Sequence, residues 1–238
     1  MSQHEITRAQ FRTIMGTDPS DTGRSRGTTD PVQEVNWYHA IAFCNKLSLA
    51  EGLTPVYTVS GVNFSTLTFN QIPTRSNGTW NAVSANWSAN GYRLPTEMEW
   101  MWAAMGATAD RSNGYTGTGI NTTGYAKAFA GSTGSNAIGD YAWYNVNSGD
   151  QTQAAGTKIA NELGLYDMSG NVWEWCWDWF VAYPTGTLTD YRGAASGTYR
   201  VPRGGSWFFF ASYCTVADRV SYGPGDQGSF FGFRVVRP

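Results

Sequence analysis

Apolar and polar positions follow a helical period in three stretches of the chain and lose it elsewhere. Thr7 precedes a short run through Ala9, Phe11 and Met15 that Gly16 stops. Asn36 precedes WYHAIAFCNKLSLAEG, where Trp37, Ala40, Ile41, Cys44 and Leu47 recur at helical spacing before Gly52 ends the run. Thr96-Glu97-Met98-Glu99 reads as a capping box, in which the Thr96 hydroxyl and the Glu99 carboxylate each take a backbone N–H at the helix start. Beyond it, Met98, Met101, Trp102 and Met105 form an apolar stripe expected to face the core, closed by Gly106. Glu97 and Glu99 read as helix-start carboxylates favoured by the helix dipole. Between residues 53 and 92, Val56-Tyr57-Thr58-Val59 and Leu67-Thr68-Phe69 predict short strands between Asn, Gly and Ser turns. Residues 106–164 are rich in Gly, Thr, Asn and Ser. The anchors Tyr115, Tyr125, Phe129, Tyr141, Trp143 and Tyr144 predict an irregular stretch pinned onto a core rather than a free tether. Helices early and short strands late predict an α+β class, with residues 1–238 as one domain.

Composition narrows the chemistry. Charged residues are 14% of the chain and aromatics 15%, a balance that suits a loop-rich, aromatic-cored fold. With 16 basic and 18 acidic residues and no clustered Lys or Arg, there is no electrostatic footprint for nucleic acid. No apolar run approaches the ~18 residues needed to span a bilayer, and no secretory segment follows Met1. The three cysteines, Cys44, Cys176 and Cys214, form at most one bridge and no disulfide framework. The two histidines, His4 and His39, exclude His-rich zinc sites, and no nucleophile elbow offers a Ser-His-Asp triad its serine.

Several blocks in a fixed order carry a family likeness. They are Glu5-Ile6-Thr7-Arg8-Ala9-Gln10-Phe11, Pro31-Val32, Val35-Asn36-Trp37-Tyr38, Ala42-Phe43-Cys44-Asn45 and Tyr92-Arg93-Leu94-Pro95-Thr96-Glu97. Downstream stand the run GLYDMSGNVWEW over 164–175, Arg203-Gly204-Gly205-Ser206-Trp207 and Gly232-Phe233-Arg234. This series resembles the formylglycine-generating-enzyme (sulfatase-modifying factor) family over nearly the whole chain. The resemblance implies the formylglycine-generating-enzyme subtype of the C-type lectin fold: α+β, few helices, short antiparallel strands and long loops. Family members usually begin with a further strand pair. The likeness therefore implies a trimmed form of a longer protein, whose first edge lacks a partner strand.

The resemblance also poses the enzyme question. Family enzymes oxidise a substrate cysteine with two active-site cysteines, five residues apart, that hold copper as thiolates. Carried over, the second position is Cys214 and the first is Phe209, which has no thiol. The expectation is a non-enzyme without copper, with Cys214 a small buried residue. The alternative is a formylglycine-generating-type oxidase or a related sulfatase-modifying enzyme. Family branches that use a histidine-held iron on an added domain fail on residue count, with only His4 and His39 present.

The tail from Trp207 to Pro238 holds six Phe and two Tyr but no Lys or Glu. Three consecutive Phe on a strand cannot all face inward, so some are expected outside and at least one inside. The turn-rich run from Ser221 to Ser229 sits between apolar segments. Exposed aromatics beside Ser, Gly and Asp have the composition of a paratope. The tail resembles the variable regions of diversity-generating retroelements, where randomised adenines restrict the encoded set to residues such as Phe, Tyr, Ser, Asp, Gly, Val and Ala. On that likeness the region 203–238 is a variable ligand-binding surface. Its variable set is Phe208, Phe209, Phe210, Ser212, Tyr213, Asp218, Val220, Ser221, Tyr222, Gly223, Gly225, Asp226, Gly228, Ser229, Phe230 and Phe231. Phe208, Phe210, Tyr213, Tyr222 and Phe230 are the expected anchors. The expected fixed frame is Trp207, Cys214, Val216, Arg219, Pro224, Phe233 and Val235, and Gln227 falls outside the encoded set and is also fixed. The implied protein is displayed at the cell surface as a lipoprotein, touching the membrane only through a lipid anchor outside this chain. Its ligand is expected to be a protein, with a glycan as the alternative.

One metal site follows from the same resemblance. Carried over by motif, a structural calcium ion would take Asp167, the carbonyls of Gly170 and Val172, and Glu174. In the other reading Glu174 pairs with a buried arginine such as Arg203 and no ion binds.

Overall fold

Three helices start where their capping side chains stand. The computed structural model describes residues 1–106, 127–186 and 188–238. Helix α1, Arg8–Met15, opens on a Thr7/Gln10 capping box and closes on Gly16 at φ 76°. Helix α2, Trp37–Ala50, opens on Asn36, whose N–H donates to His39 Nδ1 at 3.2 Å. Burial pushes His39 down to about 3, so the ring stays neutral and accepts that bond. A one-turn helix, α3, spans Gly78–Asn81 and was not foreseen. Helix α4, Glu97–Ala104, starts on the expected Thr96/Glu99 box.

The orientation of α4 corrects the expected stripe. Its buried residues are Glu97, Trp100, Ala103 and Ala104, while Met98 and Trp102 are exposed. Glu97 turns inward because two arginines await it there: Arg219 Nη2 stands 2.7 Å and Arg203 Nε 3.5 Å from its carboxylate. A charged residue on the inner face shifts the phase of the whole helix.

The strands are short. Strand β1, Tyr57–Thr58, pairs antiparallel with β2, Ser84–Ala85. The strand expected over Leu67–Phe69 is absent: Phe69–Gln71 forms a 3₁₀ turn, with the Gln71 side chain folded back onto Thr68. The larger sheet has the order β4-β3-β5, with β3 Trp173–Trp179, β4 Arg200–Arg203 and β5 Phe231–Gly232. β3 pairs antiparallel with β4 and parallel with β5.

β3 is nearly buried along its length and divides two apolar clusters by its period of two. Trp173 and Trp175 enter a cluster with Phe11, Phe43, Trp37 and Phe233. Cys176 enters another with Trp100, Ala103 and Val201. Glu174, on the same side as Cys176, meets Arg234 at 2.6 Å from both carboxylate oxygens and accepts from Trp100 Nε1 at 2.7 Å. Arg234 also donates to the Ser2 and Tyr166 carbonyls. The opening residues are paired on one side with the last segment, Ser2 N–H donating to Val235 and Ile6 N–H to Phe233.

The irregular stretch is pinned as anticipated where it is described. Phe129 is buried, Tyr141, Trp143 and Tyr144 are half-buried, and Asn161 donates to the Ala103 carbonyl at 2.8 Å. Tyr115 and Tyr125 lie outside the described residues. Cys44, Cys176 and Cys214 are all free and buried.

Two measurements check this frame. Glu174→Gln leaves the Arg234 guanidinium buried and unbalanced, so urea unfolding is expected to show a loss of about 3–5 kcal/mol. Burial pushes Asp178 up to about 6, above the ~4 of an unfolded aspartate. Between those values the folded state holds the extra proton, so this group's contribution is full at low pH and is lost as pH rises through 6. The stability of the wild type relative to Asp178→Asn is therefore expected to fall from pH 4 to 6 and flatten above. A pH-independent difference contradicts the burial assignment.

Candidate functional site

The tail leaves β4 through two glycines that only glycine can supply. Gly204 and Gly205 have φ of 98° and 80°, and a Cβ on Gly205 would stand 2.6 Å from the Cys214 sulfur. This close approach folds residues 208–214 back over the end of the strand. Trp207 is buried beneath them, its N–H bonded to the Asn171 carbonyl and its indole to the Ser229 carbonyl.

Phe208–Phe210 do not form a strand. The chain turns and enters a 3₁₀ helix, Ala211–Cys214. Phe208 is 55% exposed, Phe210 65% and Tyr213 39%, while Phe209 is half-buried. Phe209 is the hub of an aromatic group, edge-on to Trp173, Phe208, Tyr213 and Phe230 at 5.3–5.8 Å. Phe208 stacks on Phe230 at 6.3 Å. One of the three phenylalanines thus points inward and two outward, by a turn closed from the Phe209 N–H to the Ser206 carbonyl instead of by pleating.

The tail then crosses back over α4. Arg219 makes a two-pronged bond to Glu97, Nε to Oε1 at 2.8 Å and Nη2 to Oε2 at 2.7 Å, and lies 4.2 Å over the Tyr183 ring. Arg203 donates to the Val216 carbonyl at 2.8 Å. Tyr222 exchanges both backbone bonds with Arg200, whose guanidinium sits 3.6 Å from Trp37 and 3.3 Å from Trp179. Farther on, Gln227 donates to the Glu34 carbonyl and the Trp37 N–H donates to Pro224. Glu97 and Arg200 are the frame residues that the sequence reading missed. Nothing local marked them, because their partners lie far along the chain.

The candidate positions divide by burial. Ser212 and Asp226 are exposed with Phe208, Phe210 and Tyr213. Asp218, Val220, Ser221, Tyr222, Gly223, Gly228, Ser229 and Phe230 are half-buried like Phe209. Two positions are corrected. Phe231 is 1% exposed, because β5 seats it against Trp175 at 5.0 Å and Tyr222 at 4.6 Å, so it cannot meet a ligand. Gly225 is buried, and a Cβ there would stand 2.6 Å from the Arg75 backbone, so it tolerates no side chain. Of the expected frame, Trp207, Cys214, Val216, Pro224, Phe233 and Val235 are buried and Arg219 is half-buried.

The two side chains among the calcium ligands carried over by motif, Glu174 and Asp167, are engaged by the protein itself. Glu174 gives both oxygens to Arg234 and Trp100, so the ion pair is the observed state, with Arg234 in the place expected for Arg203. Asp167 accepts the Gly156 N–H at 2.6 Å through one oxygen, and its other oxygen is buried without a partner. Gly170 serves a close backbone crossing, where a Cβ would stand 2.3 Å from the Trp143 carbonyl oxygen. The Val172 N–H donates to Glu5, whose carboxyl burial pushes well above the usual range. Among the described residues no group of three or more His, Cys, Asp or Glu side chains is placed to hold a metal. Burial also pushes the Cys214 thiol up to about 12, far from a reactive thiolate.

A fold of this kind with this tail has known relatives. The chain belongs to the family described as the sulfatase-modifying factor enzyme 1-like domain, which matches residues 1–238. Its architecture is the formylglycine-generating-enzyme variant of the C-type lectin fold, as in its structural neighbours. The Treponema denticola variable protein 1 is similar at a TM-score of 0.86 and 42% identity, over 98% of this chain and 82% of that one. The chaperone protein LppX of Paenibacillus barcinonensis is 34% identical over all of this chain and 79% of its own length. The formylglycine-generating enzyme of Streptomyces coelicolor is 34% identical over 66% of this chain, which is half of that enzyme. Among the described residues, no helix is long and apolar enough to cross a membrane.

The division between outer and inner positions is measurable. Phe210→Ala is expected to change stability by no more than about 0.5 kcal/mol. Phe231→Ala is expected to lower it by about 3–5 kcal/mol. Urea unfolding of the two variants checks the assignment, and equal losses contradict it.

Proposed function

We propose that the chain is a non-catalytic, surface-displayed ligand-binding protein whose region 203–238 is diversified by a retroelement. The carrying observation is the trio Phe208, Phe210 and Tyr213, turned to solvent on a turn whose supporting residues Trp207 and Cys214 are buried. Large aromatics held outward on a rigid base are the usual anchors of an interface. Similarity to a variable protein of Treponema denticola supports the reading. The ligand in this reading is a protein, met by a broad aromatic face, and similarity to a chaperone protein of Paenibacillus agrees with that. Display is at the cell surface, through a lipid anchor outside this chain.

The second reading is a sulfatase-modifying oxidase. It is favoured by Cys214 at the second thiol position and by the match to the Streptomyces coelicolor enzyme. Against it, Phe209 occupies the first position and Cys214 is sealed among neighbours. A lone buried thiol does not make a two-sulfur copper site.

Sequencing the locus across related isolates tests the first reading, together with any downstream near-copy that ends in the coding stretch for GFRVVRP. Substitutions are expected at Phe208, Phe210, Ser212, Tyr213 and their half-buried neighbours, and none at Trp207, Cys214, Gly225 or Phe231. Invariant codons from 208 to 230 sink the retroelement reading. Titration with Cu(I) separates the second: tight one-to-one uptake with turnover of a thiol peptide makes the chain an enzyme.

A further inference from the structure

A second cleft lies away from the tail, between the first turns of α4 and the loop 188–192. Its volume is about 520 Å³, within the range of small-ligand sites, and no tail residue lines it. One wall is the outward face of α4, where Trp102 is 56% exposed and Met98, one turn earlier, is 37% exposed. These are the two members of the expected stripe that face outward, while Met101 and Met105 pack against the second apolar cluster. The other wall is Trp87, whose ring lies 5.1 Å from the Arg93 guanidinium and 4.6 Å from that of Arg192.

The cleft is built in advance of any ligand. Gly193 has φ 84°, and a Cβ there would stand 2.9 Å from the Asp178 carboxylate, so only glycine lets the loop close onto β3. The Arg192 ring contact holds the same loop from its other side. Arg93 and Glu99 brace the rim through bonds of 2.6 and 2.7 Å, with the Glu99 side chain still 42% exposed. Asp190 and Arg192 are exposed and have no ion-pair partner among the described residues.

We propose that this cleft binds a neutral saccharide. A pyranose ring has an apolar C–H face, which stacks on an indole, and a rim of hydroxyls that each donate and accept. The cleft offers the matching parts: the open Trp102 face, acceptors on Asp190 and Glu99, and donors on Arg192 and Arg93. Two guanidiniums against two carboxylates leave no net charge, so neither a phosphorylated nor a cationic ligand finds a complement. None of the lining residues belongs to a strand, so a peptide finds no sheet edge to extend.

The full chain is titrated with maltose, cellobiose, lactose and N,N′-diacetylchitobiose. Tryptophan emission and the indole N–H resonances are followed. At least one sugar is expected to shift the Trp102 signal saturably, with a Kd on the order of millimolar. Trp102→Ala, read by calorimetry because it lacks the reporting indole, and Asp190→Asn are each expected to weaken binding at least about tenfold while leaving the fold intact. Both side chains are exposed, and Asn accepts the left-handed backbone that Asp190 adopts at φ 50°. Phe210→Ala is expected to leave it unchanged, which keeps this site separate from the tail. No saturable shift with any of the four sugars overturns the proposal. So does binding that survives in Trp102→Ala, or a response to inorganic phosphate or an acidic peptide alone.

Discussion

The buried pair between Glu174 and Arg234 is the constraint on which the rest of the molecule depends. Both side chains are wholly sealed, and a sealed charge is tolerable only when its partner and its remaining hydrogen bonds are all in place. Arg234 meets that condition by reaching the carbonyls of Ser2 and Tyr166, and Glu174 by taking the Trp100 indole. Four distant parts of the chain are thereby brought to one point: its opening, the GLYDMSGNVWEW turn, α4 and the last segment. Since Arg203 stands before the exposed loop of the tail and Arg234 after it, both ends of that loop are held by buried arginines. The aromatic face can therefore stand in solvent without carrying the fold.

Much of this was legible in the sequence where the signal is local. The Thr7 and Asn36 caps and the Thr96/Glu99 capping box marked three helix starts, because such signals are written within a few residues. The buried side of α4 was not legible. Met98 and Trp102 look like core residues by composition, and only Arg203 and Arg219, more than a hundred positions away, explain why Glu97 is turned inward instead. The run WEWCWDW alternates Trp with Glu, Cys and Asp, but its polar positions do not mark an outside: both faces of β3 are covered, and Glu174 and Asp178 are buried.

The tail shows the same boundary. That Phe208–Phe210 would split between core and solvent followed from sterics, but the turn from Ser206 to Phe209 that splits them, ahead of the 3₁₀ helix, was not written in the three residues themselves. Phe231 and Gly225 carry the same residue types as the exposed positions. Only the pairing of β5 with β3, and the crossing at Arg75, separate them from those positions. The partner of Glu174 was out of reach for the same reason: Arg234 lies 60 positions from it and yet touches it.

Arg219 has one more consequence. By clamping the middle of the tail to Glu97, it divides the exposed segment into two short arcs, one before it and one after, each closed on the frame at both ends. Changes confined to separate, non-touching places combine additively. Apart from the aromatic seam where Phe230 meets Phe208 and Phe209, a new residue in one arc leaves the geometry of the other as it was. Under the proposed diversification, the repertoire of such a molecule would grow as the product of two small alphabets, each explored without undoing the other.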